Sequence, residues 1–193
     1  MNVAFKLPPP MTVDEFIAWP GDGTATKYEL VDGALRAQDP ASDTHGTIHD
    51  NLAFAISGYL RATRPGCRLV IDPGVRPRVR ANWNYRVPDL GVTCTPNRAG
   101  VHMTPDPVLL IEILSPSNEA DTWSNIHLYA SLPSLSEVLI VDSTKVAAEV
   151  LRRQADGSWP PDPEPISPAG VIRLDSIGLE LPMAEVYRGT YLG

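Results

Sequence analysis

Two carboxylates occupy places where an isolated charge is costly. Asp89 lies in Val87-Pro88-Asp89-Leu90-Gly91-Val92, and Glu112 lies in Val108-Leu109-Leu110-Ile111-Glu112-Ile113-Leu114-Ser115. Both runs are apolar, rich in branched residues and bounded by Pro, Gly or Ser, the pattern of buried strands. An ionised carboxylate inside such a strand costs several kcal/mol unless a cation or a dense set of donors receives it. Two of them on neighbouring strands, facing the same way, make half of a hard-cation site. Oxygen ligands suit Mg²⁺ or Mn²⁺, which keep several waters, so two carboxylates and one backbone carbonyl, that of Ile113, suffice as protein ligands. Such an ion serves phosphodiester hydrolysis by polarising a non-bridging oxygen, activating water and stabilising the leaving oxygen. The plainer alternative has Asp89 capping a loop and Glu112 paired with an arginine such as Arg86. The pair alone does not decide between them.

The two-residue strand period puts Glu112 and Leu114 on one face and Ile111 and Ile113 on the other. Pro88 lacks an N–H, which places Asp89 at a strand start or an edge. Around these strands the chain reads as mixed α/β. Thr12-Val13-Asp14-Glu15 is a capping box opening a short helix to about Trp19. Thr26–Val31 and Ala34–Gln38 are strands joined by the two-residue turn Asp32-Gly33. Ser42 or Asp43 caps a helix reaching about Thr63, with Ile48, Leu52, Ile56 and Tyr59 facing a sheet. Cys67–Asp72 and Val75–Arg80 are expected as strands, followed by the two acidic ones. A helix from about Asp121 to Ser131 leads to strands Glu137–Asp142 and Val146–Arg153. A Pro-rich loop over Trp159–Pro168, a short strand Val171–Leu174 and a helical turn Met183–Tyr187 close the chain. No linker or repeat divides the 193 residues, so one domain is expected, a central sheet flanked by helices.

Twenty prolines fall in the loops, and the net charge of −7 argues against a broad, sequence-indifferent nucleic-acid coat while leaving room for a cleft with local basic rims. Two cysteines without framework spacing point to a reducing cytoplasm. No apolar run approaches a bilayer's thickness, and the first ten residues hold no signal-type apolar stretch. Arg76, Arg78 and Arg80 alternate along one expected strand and could track a phosphate backbone, or simply form a solvated face. Lys27 and Glu29 alternate with Tyr28 and Leu30, which by itself suggests a solvated hairpin face. His45 and His49 are four apart on a helix, but no third ligand accompanies them.

An ordered set of short motifs carries a resemblance. Tyr28-Glu29-Leu30-Val31-Asp32-Gly33, His45-Gly46, Val87-Pro88-Asp89, Glu112-Ile113-Leu114-Ser115-Pro116-Ser117, Tyr129 and the strand Val138–Asp142 follow one another as in the Uma-type restriction endonuclease family, a branch of the PD-(D/E)XK nuclease superfamily. The chain resembles that family from about Met11 to Tyr187. The resemblance implies a restriction-endonuclease-like core, dependence on Mg²⁺ (or Mn²⁺), DNA as substrate, Asp89 and Glu112 as metal ligands, and Glu29 and His45 as further site residues. A homodimer would serve cleavage of both strands. The superfamily's active-site lysine lies two residues after the acidic strand residue, here Leu114. In this branch it moves to the next helix, four residues before a tyrosine, here Asn125. Neither is a lysine; the chain has only Lys6, Lys27 and Lys145. Lysine's charge would position water and offset charge on the phosphorane, whereas Asn keeps a donor without the charge. Lys27, or an arginine from a loop, is a candidate substitute. A catalytically impaired nuclease fold acting as an interaction module is the alternative.

Overall fold

The computed structural model describes residues 10–116 and 119–193. Ser117 of the quoted motif and the first nine residues lie outside these. Helix α1 (Val13–Ala18) starts where Thr12 and Glu15 exchange side-chain and backbone hydrogen bonds, the expected capping box. Strands β1 (Tyr28–Val31) and β2 (Ala34–Ala37) form a separate antiparallel ribbon. Asp32 (φ 51°) and Gly33 (φ 86°) both take the left-handed conformation that a tight two-residue hairpin turn demands. The turn fixes the register: Glu29 stands opposite Arg36 and Leu30 opposite Leu35. The ribbon is held to the body by the Leu30–Tyr85 bridge.

Helix α2 (Asp43–Thr63) is capped by Ser42, whose hydroxyl accepts from the His45 N–H. Its buried stripe is Ile48, Leu52, Ile56 and Leu60; Tyr59, expected to face the sheet, is half-buried and donates to the Gly178 carbonyl. Strands β3 (Arg68–Ile71), β4 (Leu90–Thr93) and β5 (Pro107–Leu114) follow, then α3 (Glu119–Tyr129), β6 (Glu137–Asp142), β7 (Ala148–Arg152) and β8 (Glu164–Ile166). These six strands form one sheet in chain order, antiparallel except for the β5–β6 pair. A parallel pair needs a crossover, and α3 is that crossover. A second ribbon of β9 (Val171–Leu174) and β10 (Leu179–Pro182) leads into α4 (Met183–Val186). Mixed α/β architecture with a central sheet flanked by helices is what the sequence indicates.

The sheet divides two apolar layers. Leu90, Val92, Leu109, Ile111, Ile113, Leu139 and Val141 pack under α2, the β9–β10 ribbon and α4. Leu110, Val138 and Ile140 pack on the other side with Ile126 and Tyr129 of α3. The alternation along β5 therefore points Glu112 toward α3, as the period of two requires.

Three expectations are corrected. Residues 75–80 form no strand: Val75 makes a lone bridge to Arg86, Pro77 has no N–H to donate, and Arg80 takes φ 49° in a turn. Arg76 then binds the Ala81 carbonyl and Asn82, and Arg80 binds Asp32, so no arginine stripe forms. Residues 164–166 of the Pro-rich loop pair as an edge strand, where proline is tolerated because its missing N–H faces no partner. Cys67 and Cys94 are joined in a disulfide across β3 and β4, because the register that pairs Arg68 with Thr93 brings them side by side one residue further out. The cysteine count therefore does not indicate a reducing compartment.

Candidate active site

The sequence candidates come from five places in the chain, and all but one line a single cleft of about 1110 Å³. Its walls include Glu29 of β1, Arg36 of β2, His45 at the first turn of α2, Asp89 before β4, Glu112 of β5, and Asp121 and Asn125 of α3. Ile113 is the exception: its side chain is in the core, and its main chain touches the site by donating its N–H to Asp89 Oδ2 at 2.7 Å.

Asp89 and Glu112 meet because of strand register. Leu90 is paired with Ile111, so one further step places Asp89 opposite Glu112 on the same face. Asp89 is held at both oxygens, by the Ile113 N–H and by His45 Nε2 at 3.2 Å from Oδ1. Its main-chain oxygen lies 3.3 Å from His49 Nε2. The two histidines thus share a face toward Asp89. The Nδ1 of His45 is buried and has no hydrogen-bond partner among the described residues.

Glu112 is only 6% exposed. Tyr129, fully buried on α3, donates its hydroxyl to Glu112 Oε1 at 2.7 Å. Burial pushes the Glu112 carboxyl well above the usual carboxylate range. Asp89 and Glu29 push it the same way, while the Tyr129 hydrogen bond and Arg36 oppose them. The Tyr129 hydroxyl is likewise held well above its ordinary range by burial and by Glu112. The paired alternative for Glu112 does not form: Arg86 donates to the Leu30 carbonyl and to Asn84 instead.

Glu29 is 2% exposed, not a solvated face. Its Oε1 accepts from the Val87 N–H at 2.7 Å and its Oε2 from Arg36 at 2.5 Å. Arg36 also reaches Asn125 Oδ1 at 3.1 Å and Asp121 Oδ1 at 2.6 Å. Lys27, which the strand period puts on the face of Glu29, is spent at the rim on Asp72 and is 61% exposed. The side chains that the motif search did not single out are Arg36 and Asp121, and both had a signal. A two-residue turn at Asp32-Gly33 makes Glu29 and Arg36 direct cross-strand partners of opposite charge. Asp121, Asn125 and Tyr129 recur every four residues and so share one helix face.

Among the described residues no three acidic, histidine or cysteine side chains converge tightly enough to enclose an ion by themselves. The donor set fits an ion that retains much of its hydration: two carboxylates opposite one another, one of them buried among other acids, are relieved by a hard divalent cation. A soft or fully caged metal does not suit them.

The fold recurs in a protein of known structure. A crystal structure from Anabaena variabilis, described as "a putative nuclease belonging to DUF820", superposes with a TM-score of 0.73 over 92% of this chain and 98% of that one, at 19% identity. An uncharacterised protein of Synechocystis sp. is 30% identical over 183 residues, 94% of this chain and 93% of its own. Residues 13–184 match Uma2, described as "Putative restriction endonuclease", and the chain belongs to that family.

Proposed function

We propose that this protein is a divalent-metal-dependent DNA endonuclease in which Asp89 and Glu112 hold Mg²⁺ or Mn²⁺, with the Ile113 carbonyl completing the protein ligands. The observation that carries the reading is the placement of two acids opposite one another at one cleft, with Glu112 buried beside Asp89 and Glu29. When bound, the ion supplies charge neutralisation and polarises water and the phosphodiester. The protein's own groups do the rest. His45 and the Ile113 N–H fix the Asp89 carboxylate, and Tyr129 fixes that of Glu112. Glu29 ties β1 to the Val87 backbone and so aligns the ribbon with the acidic strands. Asn125 faces the cleft as a polar group that orients water or phosphate. In the reaction a water oxygen bonds to phosphorus as the bond from phosphorus to the leaving oxygen breaks. The water gives up a proton to solvent and the departing oxygen takes one, leaving a phosphate monoester and a hydroxyl.

Duplex DNA as substrate accords with a cytoplasmic location. Cleavage of both strands draws on two sites, hence on a homodimer. Among the described residues no helix is long and apolar enough to cross a membrane.

The test is nicking of supercoiled plasmid in Mg²⁺ or Mn²⁺. Asp89→Asn and Glu112→Gln should each reduce the rate by about 10²-fold or more, the scale seen when one preorganised electrostatic contact is removed. Cleavage that survives both changes rejects the assignment. One feature favours a second reading, a nuclease fold that binds DNA without cutting it: Asn125 carries no charge where the family resemblance implies a lysine. That reading requires no cleavage under either metal and retained binding of duplex DNA.

A further inference from the structure

We propose that Arg36 supplies the positive charge applied to the reacting phosphoryl group, and that Asn125 and Asp121 position it. This rests on the endonuclease reading above. A phosphodiester is an anion that gains charge as it is attacked. The cleft it would enter is lined by Glu29, Asp89, Glu112 and Asp121, so a cation inside is needed to admit and hold it. Lysine and arginine line this cleft at two positions among the described residues, Lys27 and Arg36. Lys27 lies at the solvent-facing rim in an ion pair with Asp72. The Arg36 side chain is 25% exposed, within the cleft, and acts on the electrostatics of Glu112.

The guanidinium is pinned on three sides. Nη2 donates to Glu29 and Asn125, and Nη1 to Asp121. A guanidinium has five N–H donors, so three partners leave two N–H groups for a ligand. The two that remain, on Nε and Nη1, lie on different edges of the plane, so each can meet one phosphate oxygen while the charge acts on the whole group. Holding it by two carboxylates and an amide fixes the position without removing the charge.

The contact with Asn125 explains why a neutral residue stands there. Asn125 Oδ1 lies 3.1 Å from Arg36 Nη2, so an ammonium at 125 would face the guanidinium at hydrogen-bond distance. The site has room for one cation at this point, delivered from α3 or from β2. In this chain it comes from β2, opposite Glu29 in the hairpin register.

The experiment compares plasmid nicking by the wild type, Arg36→Leu, Arg36→Lys, Lys27→Met, and Arg36→Leu combined with Asn125→Lys. Binding of a labelled duplex oligonucleotide in Ca²⁺ is measured in parallel, and thermal melts confirm folding. Arg36→Leu should lower the saturated rate by about 10²–10³-fold, the cost of removing one such contact, while Lys27→Met stays within threefold of wild type. Adding Asn125→Lys to Arg36→Leu should recover at least tenfold. Arg36→Lys keeps the charge on a group that can lose its proton, so its rate should acquire a decline at alkaline pH that the wild type lacks. A structural arginine would not produce that decline, and this readout stands even if Arg36→Leu fails to fold. Nicking by Arg36→Leu within threefold of wild type, or no new alkaline decline in Arg36→Lys, overturns the inference and leaves the endonuclease reading intact. A wild type that nicks under neither metal overturns both.

Discussion

Removing one oxygen atom tests the chemistry of the buried acid most directly. In Tyr129→Phe the ring stays in place and only the hydroxyl that donates to Glu112 Oε1 at 2.7 Å is lost. Tyr129 is fully buried and Glu112 is 6% exposed, so water does not readily replace the donor. A hydrogen bond to a charged group contributes about 1.5–3 kcal/mol, and one between neutral groups about 0.5–1.5 kcal/mol. The loss should therefore be larger where Glu112 is ionised. Urea unfolding at acidic and alkaline pH, on metal-free protein, measures both. The destabilisation should be about 1 kcal/mol greater on the alkaline side of the Glu112 titration than on the acidic side. The activity profile should follow: the rise in nicking rate as Glu112 ionises should move to higher pH in Tyr129→Phe, because the hydroxyl favours the charged form. A destabilisation equal at both ends, or larger in acid, would show that the hydroxyl does not serve the carboxylate.

Glu112 in the folded protein has its pKa raised, chiefly by burial, so its ionisation is opposed by folding. Its contribution to stability is greatest below the unfolded carboxylate pKa and is lost as pH rises through the folded value. Glu112→Gln should thus be less active yet more stable than metal-free wild type at alkaline pH, with the difference shrinking in acid; urea titration across the pH range checks this. Gly33→Ala should cost about 1–2 kcal/mol, since residue 33 is left-handed at φ 86° and a Cβ there would come within 2.6 Å of Pro10 Cβ. Because that turn sets the pairing of Glu29 with Arg36, the same variant should lose nicking rate at temperatures where it remains folded.

Much of the arrangement was legible in the chain because local rules and tertiary structure agree in the acidic strands. The two-residue period put Glu112 on the face of Leu114, away from Ile111 and Ile113, and Asp32-Gly33 set the hairpin. The Thr12–Glu15 box and the Ser42-Asp43 pair marked two helix starts. Legibility failed where the outcome depended on partners distant in sequence. The burial of Glu29 is decided by Val87, 58 residues away, and by Arg36 folding back over it. The Val75–Arg80 run alternates like a strand, but Pro77 cannot donate and the chain turns at Arg80. Cys67 and Cys94 are 27 residues apart, a spacing that carries no connectivity until β3 and β4 are in register. Arg36 had a local signal in the hairpin register, but the positions where the resemblance expects a cation, two residues after Glu112 or on α3, lie on other elements.

One stripe on α3 carries contacts to both the guanidinium and the buried acid. Asp121 and Asn125 grip the guanidinium, and Tyr129, one turn further on, holds the proton that Glu112 Oε1 accepts. The helix is a stiff rod, so a pull at one end is felt along its length. Duplex DNA that draws Arg36 toward its backbone would tug on the first two contacts and, through the same rod, alter the third. The crossover would thereby link the setting of the guanidinium to the hydrogen bond on the buried acid.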